Sequence, residues 1–160
     1  MDNRKFYPIR RATRDEWESA MNLVWHTFLR FEAQDYSQKG IDSFLDFISD
    51  EGLHRMFLIG EYHMFVAVDD NNRIIGVITL RARTHISLLF VDEHYHRQGI
   101  GRSLINYAAM YVREEMRDRS ITVNAAPYAH EFYKRLGFKI MGPEQNVDGI
   151  LSTPMIFNIP

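Results

Sequence analysis

The stretch "FVDEHYHRQGIGRSLINYAAMYV", Phe90 to Val112, decides how this chain is read. It leaves an apolar run, passes Gly99 and Gly101, and continues with apolar residues at helical spacing. Glycine costs conformational entropy, so two of them at a strand-to-helix junction mark a place where the backbone must be bare. The first turn of a helix presents unpaired N–H groups and a partial positive charge. Glycines let an anion approach those groups closely, and Arg97 and Arg102 stand ready as counter-charge. "HRQGIGR" therefore reads either as a phosphate nest or as a glycine-bearing turn that binds nothing. It is not a P-loop, because no Lys-Ser/Thr pair follows Gly101. It is not the dinucleotide fingerprint either, which needs a third glycine and an early strand.

Outward from this loop, patterning predicts the other elements. Downstream, Ile100, Leu104, Ala108, Tyr111 and Met116, with Ile105 and Val112 beside them, form one helical face over about Ile100 to Arg117. "SITVNAA" (Ser120–Ala126) reads as a strand, and "PYAHEFYKRLGF" as a short helix ended by Gly137. Two strands close the chain, near Phe138–Met141 and Leu151–Asn158. Upstream, "HISLLFV" (His85–Val91) reads as a buried strand, and "MFVAVDDNNRIIGVITLRA" as a hairpin turning at "DDNN". "FYPIRRA" (Phe6–Ala12) is a first strand, followed by a capping box, "TRDE", from Thr13 to Glu16. Trp17, Met21, Val24 and Phe28 then share a helix face, and Ile41, Phe44, Leu45 and Ile48 a second, with "EAQDYSQKG" between them as a loop. The expectation is an α/β fold with a mixed central sheet of about seven strands and about four helices on both faces.

The 160 residues suit a single domain, 1–160, with a real core. A net charge of −2 supplies no global basic field for nucleic acid or an anionic membrane. Cys is absent, which excludes disulfides, thiolate metal sites and an acyl-cysteine intermediate. No apolar run is long enough to span a membrane, and no signal-peptide pattern opens the chain. A soluble cytoplasmic domain is expected. His94 and His96 are two residues apart, but nothing completes a ligand set around them, so no metal is expected.

Two stretches in order resemble the GCN5-related N-acetyltransferase (GNAT) superfamily. "HRQGIG" (His96–Gly101) is similar to its Gln/Arg-x-x-Gly-x-Gly/Ala loop, with His96 in place of Gln or Arg. "VNAAPYAHEFYKRLGF" (Val123–Phe138) resembles its later "A-x-x-F-Y-x-x-x-G-F" motif, after a strand ending in Asn. "LLFV" looks like the strand that precedes the loop, although Glu93 stands where proline is usual. The resemblance is strongest from Ile86 to Phe138, and the first 60 residues match only in layout.

The resemblance implies an acetyl-CoA-dependent N-acetyltransferase acting by direct attack of a primary amine, from a small molecule or a protein. It implies that Arg97, Gln98, Gly99, Ile100, Gly101 and Arg102 hold the pyrophosphate of acetyl-CoA. It also implies a splayed strand whose backbone at Leu89, Phe90 and Val91 meets the acetyl and pantetheine groups. Tyr133 is then the general acid toward the departing sulfur. Asn124 offers an amide to the cofactor or acceptor edge. Glu32, Asp35, Glu51, Asp92, His26, His85 and His130 are the candidates for general base. Trp25, Phe28, Phe31 and Tyr36 are the aromatic residues for an acceptor wall, if they are not simply core. Dimers are common in that family, which leaves a homodimer open. The alternatives are a non-catalytic acyl-CoA-binding module of the same fold and an unrelated nucleotide-binding regulator.

Overall fold

The computed structural model describes residues 5–160. In chain order the elements are β1 (Ile9–Arg11), α1 (Trp17–Phe31), α2 (Gln38–Ile48), α3 (Glu51–Leu58), β2 (His63–Val68), β3 (Ile74–Arg81) and β4 (His85–Val91). They continue with α4 (Ile100–Glu114), β5 (Ser120–Ala125), α5 (His130–Arg135), β6 (Lys139–Ile140), β7 (Gln145–Val147) and β8 (Ile150–Asn158). The strands lie in the order β1-β2-β3-β4-β5-β8-β6, and β7 also pairs with β8. All neighbours are antiparallel except β4 and β5.

Alternate side chains of the sheet feed two cores. On one face Met64, Val66, Val77, Leu88 and Phe90 meet Trp17, Met21, Val24 and Phe28 of α1 and Leu53 of α3. On the other face Phe65, Ile78, Leu80, Ile86 and Val123 meet Ile100, Leu104, Ala108 and Val112 of α4 and Tyr133 of α5. The faces read for α1 and α4 are thus largely buried, whereas on the face read for α2 only Ile48 is buried and Leu45 is exposed. Among the described residues no helix is long and apolar enough to cross a membrane.

Three features depart from the expectation. The segment read as a loop already starts α2 at Gln38, because the Ser37 hydroxyl accepts from the N–H of Gly40 as an N-cap. α3 follows at once, capped by Asp50 on the N–H of Leu53. β7 and β8 form a hairpin around Asp148 and Gly149, both left-handed at φ 54° and 82°. That is the geometry for which Asp-Gly is suited. The capping box forms as read, with Glu16 accepting the Thr13 N–H at 2.8 Å, and the Thr13 hydroxyl also reaches Asp15. Glu16 is also paired with Arg10 at 2.7 Å, which holds its carboxyl down at about 2.

Pro154 explains why β8 changes partners along its length. Proline has no N–H for a ladder. β7 pairs with Ile150–Ser152 before it, β6 with Met155 and Ile156 after it, and the Pro154 carbonyl itself accepts from Met141.

Candidate active site

β4 and β5 pair only at His85–Thr122 and Ile86–Val123. Beyond those residues the two strands part, and a cavity of about 620 Å³ opens along the gap. β4 also carries an extra residue. Leu80 faces Ile86 and Thr79 faces Leu88, which leaves Ser87 as a bulge. The bulge shifts the side-chain alternation, so Ile86 packs with α4 whereas Leu88 and Phe90 pack with α1. β4 is therefore alternately buried and part-exposed, not the fully buried strand expected from "HISLLFV".

Backbone direction follows from two observed bonds. The Asp92 N–H donates to Ile75, so Asp92, Phe90 and Leu88 turn their polar groups toward β3. Leu89 and Val91 must then turn theirs toward the gap. Of the three residues expected to present backbone there, Phe90 is the exception: its side chain is buried and its amide faces β3. On the opposite strand Thr122 donates to Thr84, so the Asn124 backbone, two residues on, also faces the gap. The Asn124 side chain is exposed and lines the cavity.

The glycine loop stands at the end of β4. Gly99 is the N-cap of α4 at φ 80°, and Arg97 is also left-handed at φ 63°. These two reversals bring the chain into the helix with Arg97, Gln98, Gly99 and Arg102 exposed, while Ile100 anchors in the core. Gly101 also meets a packing demand. A Cβ there would sit 3.2 Å from the Phe132 ring, so its bareness lets α5 pack against α4. His96, the departure in the loop motif, donates its Nε2–H to the Val91 carbonyl at 2.7 Å, and its ring packs on Phe31. His94 instead pairs with Asp92 at 3.0 Å in solvent. Among the described residues no group of three or more His, Asp or Glu is placed to hold a metal ion.

Tyr133 is 4% exposed, with its ring edge-on to Phe132 and Phe138. Its hydroxyl has no hydrogen-bond partner among the described residues, yet no fully buried side-chain polar atom there lacks one. Its oxygen therefore opens into the cavity that the residue lines. Burial, with a contribution from the Glu32 charge, raises its pKa, so the phenol keeps its proton.

Of the base candidates, Glu32 and His85 line the cavity. Glu32 ends α1, and burial with the nearby Asp35 charge lifts its carboxyl to about 7. His85 is bonded to the Thr122 hydroxyl at 2.8 Å and is pushed down to about 4 by burial and the Arg81 charge. Asp92 caps the turn after β4, His130 sits beside Glu131, and Glu51 opens α3, all away from the cavity lining. Of the four aromatic residues considered for an acceptor wall, only Tyr36 lines the cavity. Phe28 is core, stacked between Trp25, Tyr36 and Phe44, and Phe31 packs on His96 and Tyr128. The wall is completed by Phe44 and Phe47 of α2 and by the β7–β8 hairpin. The cap at Ser37 and the Asp-Gly pair are the sequence signals that would have found these.

Residues 32–159 match the family model described as the acetyltransferase (GNAT) domain. The chain belongs to the GNAT acetyltransferase family. It is 30% identical to the peptidyl-lysine N-acetyltransferase YjaB of Escherichia coli, over 84% of this chain and 83% of that one. It is 31% identical to the N-acetyltransferase MJ1207 of Methanocaldococcus jannaschii over 84% of its own length, and the match spans 62% of that protein. The fold superposes on a GCN5-related N-acetyltransferase from Rhodopseudomonas palustris with a TM-score of 0.84 at 18% identity, covering 99% of both chains. It superposes on PaiA N-acetyltransferase from Thermoplasma acidophilum, solved in complex with coenzyme A, with a TM-score of 0.76 at 18% identity, covering 96% of this chain and 99% of that one. The sheet of a GNAT domain, with its parted strands and glycine loop, is the expected fold with one added strand and one added helix.

Proposed function

We propose that this GNAT domain transfers an acetyl group from acetyl-CoA to a primary amine by direct attack, acting as a single domain in the cytoplasm. Bound acetyl-CoA supplies a thioester whose carbonyl oxygen gains charge as the amine attacks and whose sulfur leaves needing a proton. The residues fit that cosubstrate. The exposed first turn of α4, with Arg97 and Arg102, is suited to its diphosphate. The gap-facing N–H groups of Leu89 and Val91 are donors without a strand partner, suited to the acetyl and pantetheine carbonyls.

Tyr133 holds a proton for which the described residues offer no hydrogen-bond acceptor, which suits a general acid. Glu32, held near 7, is half-ionised at neutral pH and accepts the proton that the amine gives up, directly or through water. The observation that carries this reading is that these two groups line one cavity, at the place where β4 leaves β5.

The test measures free thiol release from acetyl-CoA across an amine panel. Tyr133→Phe is expected to lower kcat by about 10²-fold or more while CoA binding stays unchanged. CoA binding with no thiol release from any amine would instead favour an acyl-CoA-binding module.

A further inference from the structure

The acceptor half of the cavity has a charge pattern of its own. Arg81, at the end of β3, faces His85 across the ladder. Its neighbour Leu80 packs on the α4 side, so Arg81 points to the opposite face, where the cavity lies. Three formally charged side chains line the cavity: Glu32, Arg81 and Asp148. Asp148 has Lys39 3.7 Å away. Glu32 belongs to the proton transfer. Arg81 has no carboxylate within ion-pair distance among the described residues, and the side chain beside it, His85, is held neutral at neutral pH. Arg81 is exposed, so one positive charge is left at the solvent side of the cavity for something that enters.

The rest of the lining sets the size and character of that ligand. Tyr36, Phe44, Phe47 and Val147 give the same cavity apolar walls. His85 and Leu89 are four residues apart on β4, about 13 Å in an extended strand, and the Arg side chain spans much of that. One side of the cavity is walled by backbone. Gly40 of α2 touches Gly149 of the hairpin so tightly that neither position has room for a Cβ, and Ser43 donates to the Asp148 carbonyl. This suits a compact ligand better than an extended chain. The whole cavity, about 620 Å³, is shared with the thioester end of the cosubstrate, which leaves the acceptor a small-molecule space.

We infer that the acceptor is a small primary amine with an apolar body and a carboxylate at the end remote from the amine, and that Arg81 is its counter-ion and specificity determinant. This rests on the proposed acetyl transfer and on the amine lying toward Glu32 and Tyr133. It places the chain apart from relatives named for peptidyl-lysine or spermidine, whose amines carry no such acid.

The probes are 4-(2-aminoethyl)benzoate, 2-phenylethylamine, spermidine and a lysine peptide. Calorimetry with CoA-saturated protein reads binding, and thiol release reads turnover. The expected result is that the benzoate binds and turns over about tenfold better than 2-phenylethylamine, since a charge-assisted pair is worth that much. Arg81→Gln should remove this preference and leave 2-phenylethylamine unchanged, and Arg81→Lys should restore part of it. The inference is overturned if spermidine, the peptide or 2-phenylethylamine turns over as well as the benzoate, or if Arg81→Gln affects both aryl amines alike. Failure of the acetyl-transfer reading looks different: no amine then releases thiol, whatever binds.

Discussion

His96 donates its Nε2–H to the Val91 carbonyl at 2.7 Å, tying the glycine loop to the strand end that borders the gap. The bond occupies the Val91 oxygen and leaves its N–H for a ligand. It also fixes the angle at which the loop enters α4. A part-buried hydrogen bond of this kind contributes about 1 kcal/mol.

His96→Ala should therefore weaken CoA binding about fivefold, by letting the loop drift from β4. His96→Gln, which keeps a donor of similar reach, should recover most of the affinity. Isothermal titration with CoA reads both variants. Equal affinity for His96→Ala and the parent protein would mean that the loop is held by other contacts.

Gly99 and Gly101 should respond differently to substitution. Gly99 is at φ 80°, where a β-branched residue is strained by about 1–2 kcal/mol, so Gly99→Val should distort the first turn of α4 and abolish tight CoA binding. Gly101 has ordinary helical backbone but meets Phe132. Gly101→Ala alone should be mildly destabilising. Pairing it with Phe132→Leu should relieve the contact and restore the melting temperature, a rescue with no counterpart at Gly99.

Much of this was legible in the sequence where a single local rule decides the outcome. The α1 face from Trp17 to Phe28 and the α4 face from Ile100 to Val112 follow from a 3.6-residue period and are buried as read. The glycine loop announced itself by composition. What failed depended on partners distant in sequence. Whether "LLFV" is sealed or open is set by β5 parting from β4 after Val123, and no property of Leu89 encodes that. Phe44 and Phe28 look equivalent in a helical pattern, yet one lines the cavity and the other is core, because the β7–β8 hairpin folds over α2. The bulge at Ser87 was likewise invisible, since it appears only in the register with β3.

The backbone wall of the cavity should be sensitive to a single methyl group. A Cβ at Gly40 would overlap the Gly149 carbonyl, and Gly149 is itself left-handed at φ 82°. Backbone cannot give way as a side-chain tip does. Gly40→Ala should lower the melting temperature by several degrees, at about 2–4 °C per kcal/mol for a chain of this size. It should also raise KM for the amine more than KM for acetyl-CoA, because the hairpin walls only the acceptor side. An equal rise in both constants would place that wall beside the cofactor as well.

Glu32 ties activity and stability to pH in opposite directions. Its carboxyl is held at about 7 in the folded protein against an ordinary 4.5, first by burial and then by the Asp35 charge. As a base it must be ionised, so kcat/KM should rise with pH through a midpoint near 7. Glu32→Gln should lose that limb and most of the rate. For stability, the folded protein holds this proton where the unfolded chain has released it. Stability therefore falls as pH rises from the unfolded value toward 7, and the full cost is present above it. Glu32→Gln removes the buried charge, so its melting temperature should exceed that of the parent protein at pH 8 and the difference should shrink at pH 5. Thermal unfolding across that range, set beside the rate profile, separates a buried catalytic carboxyl from a solvated one, which would change neither.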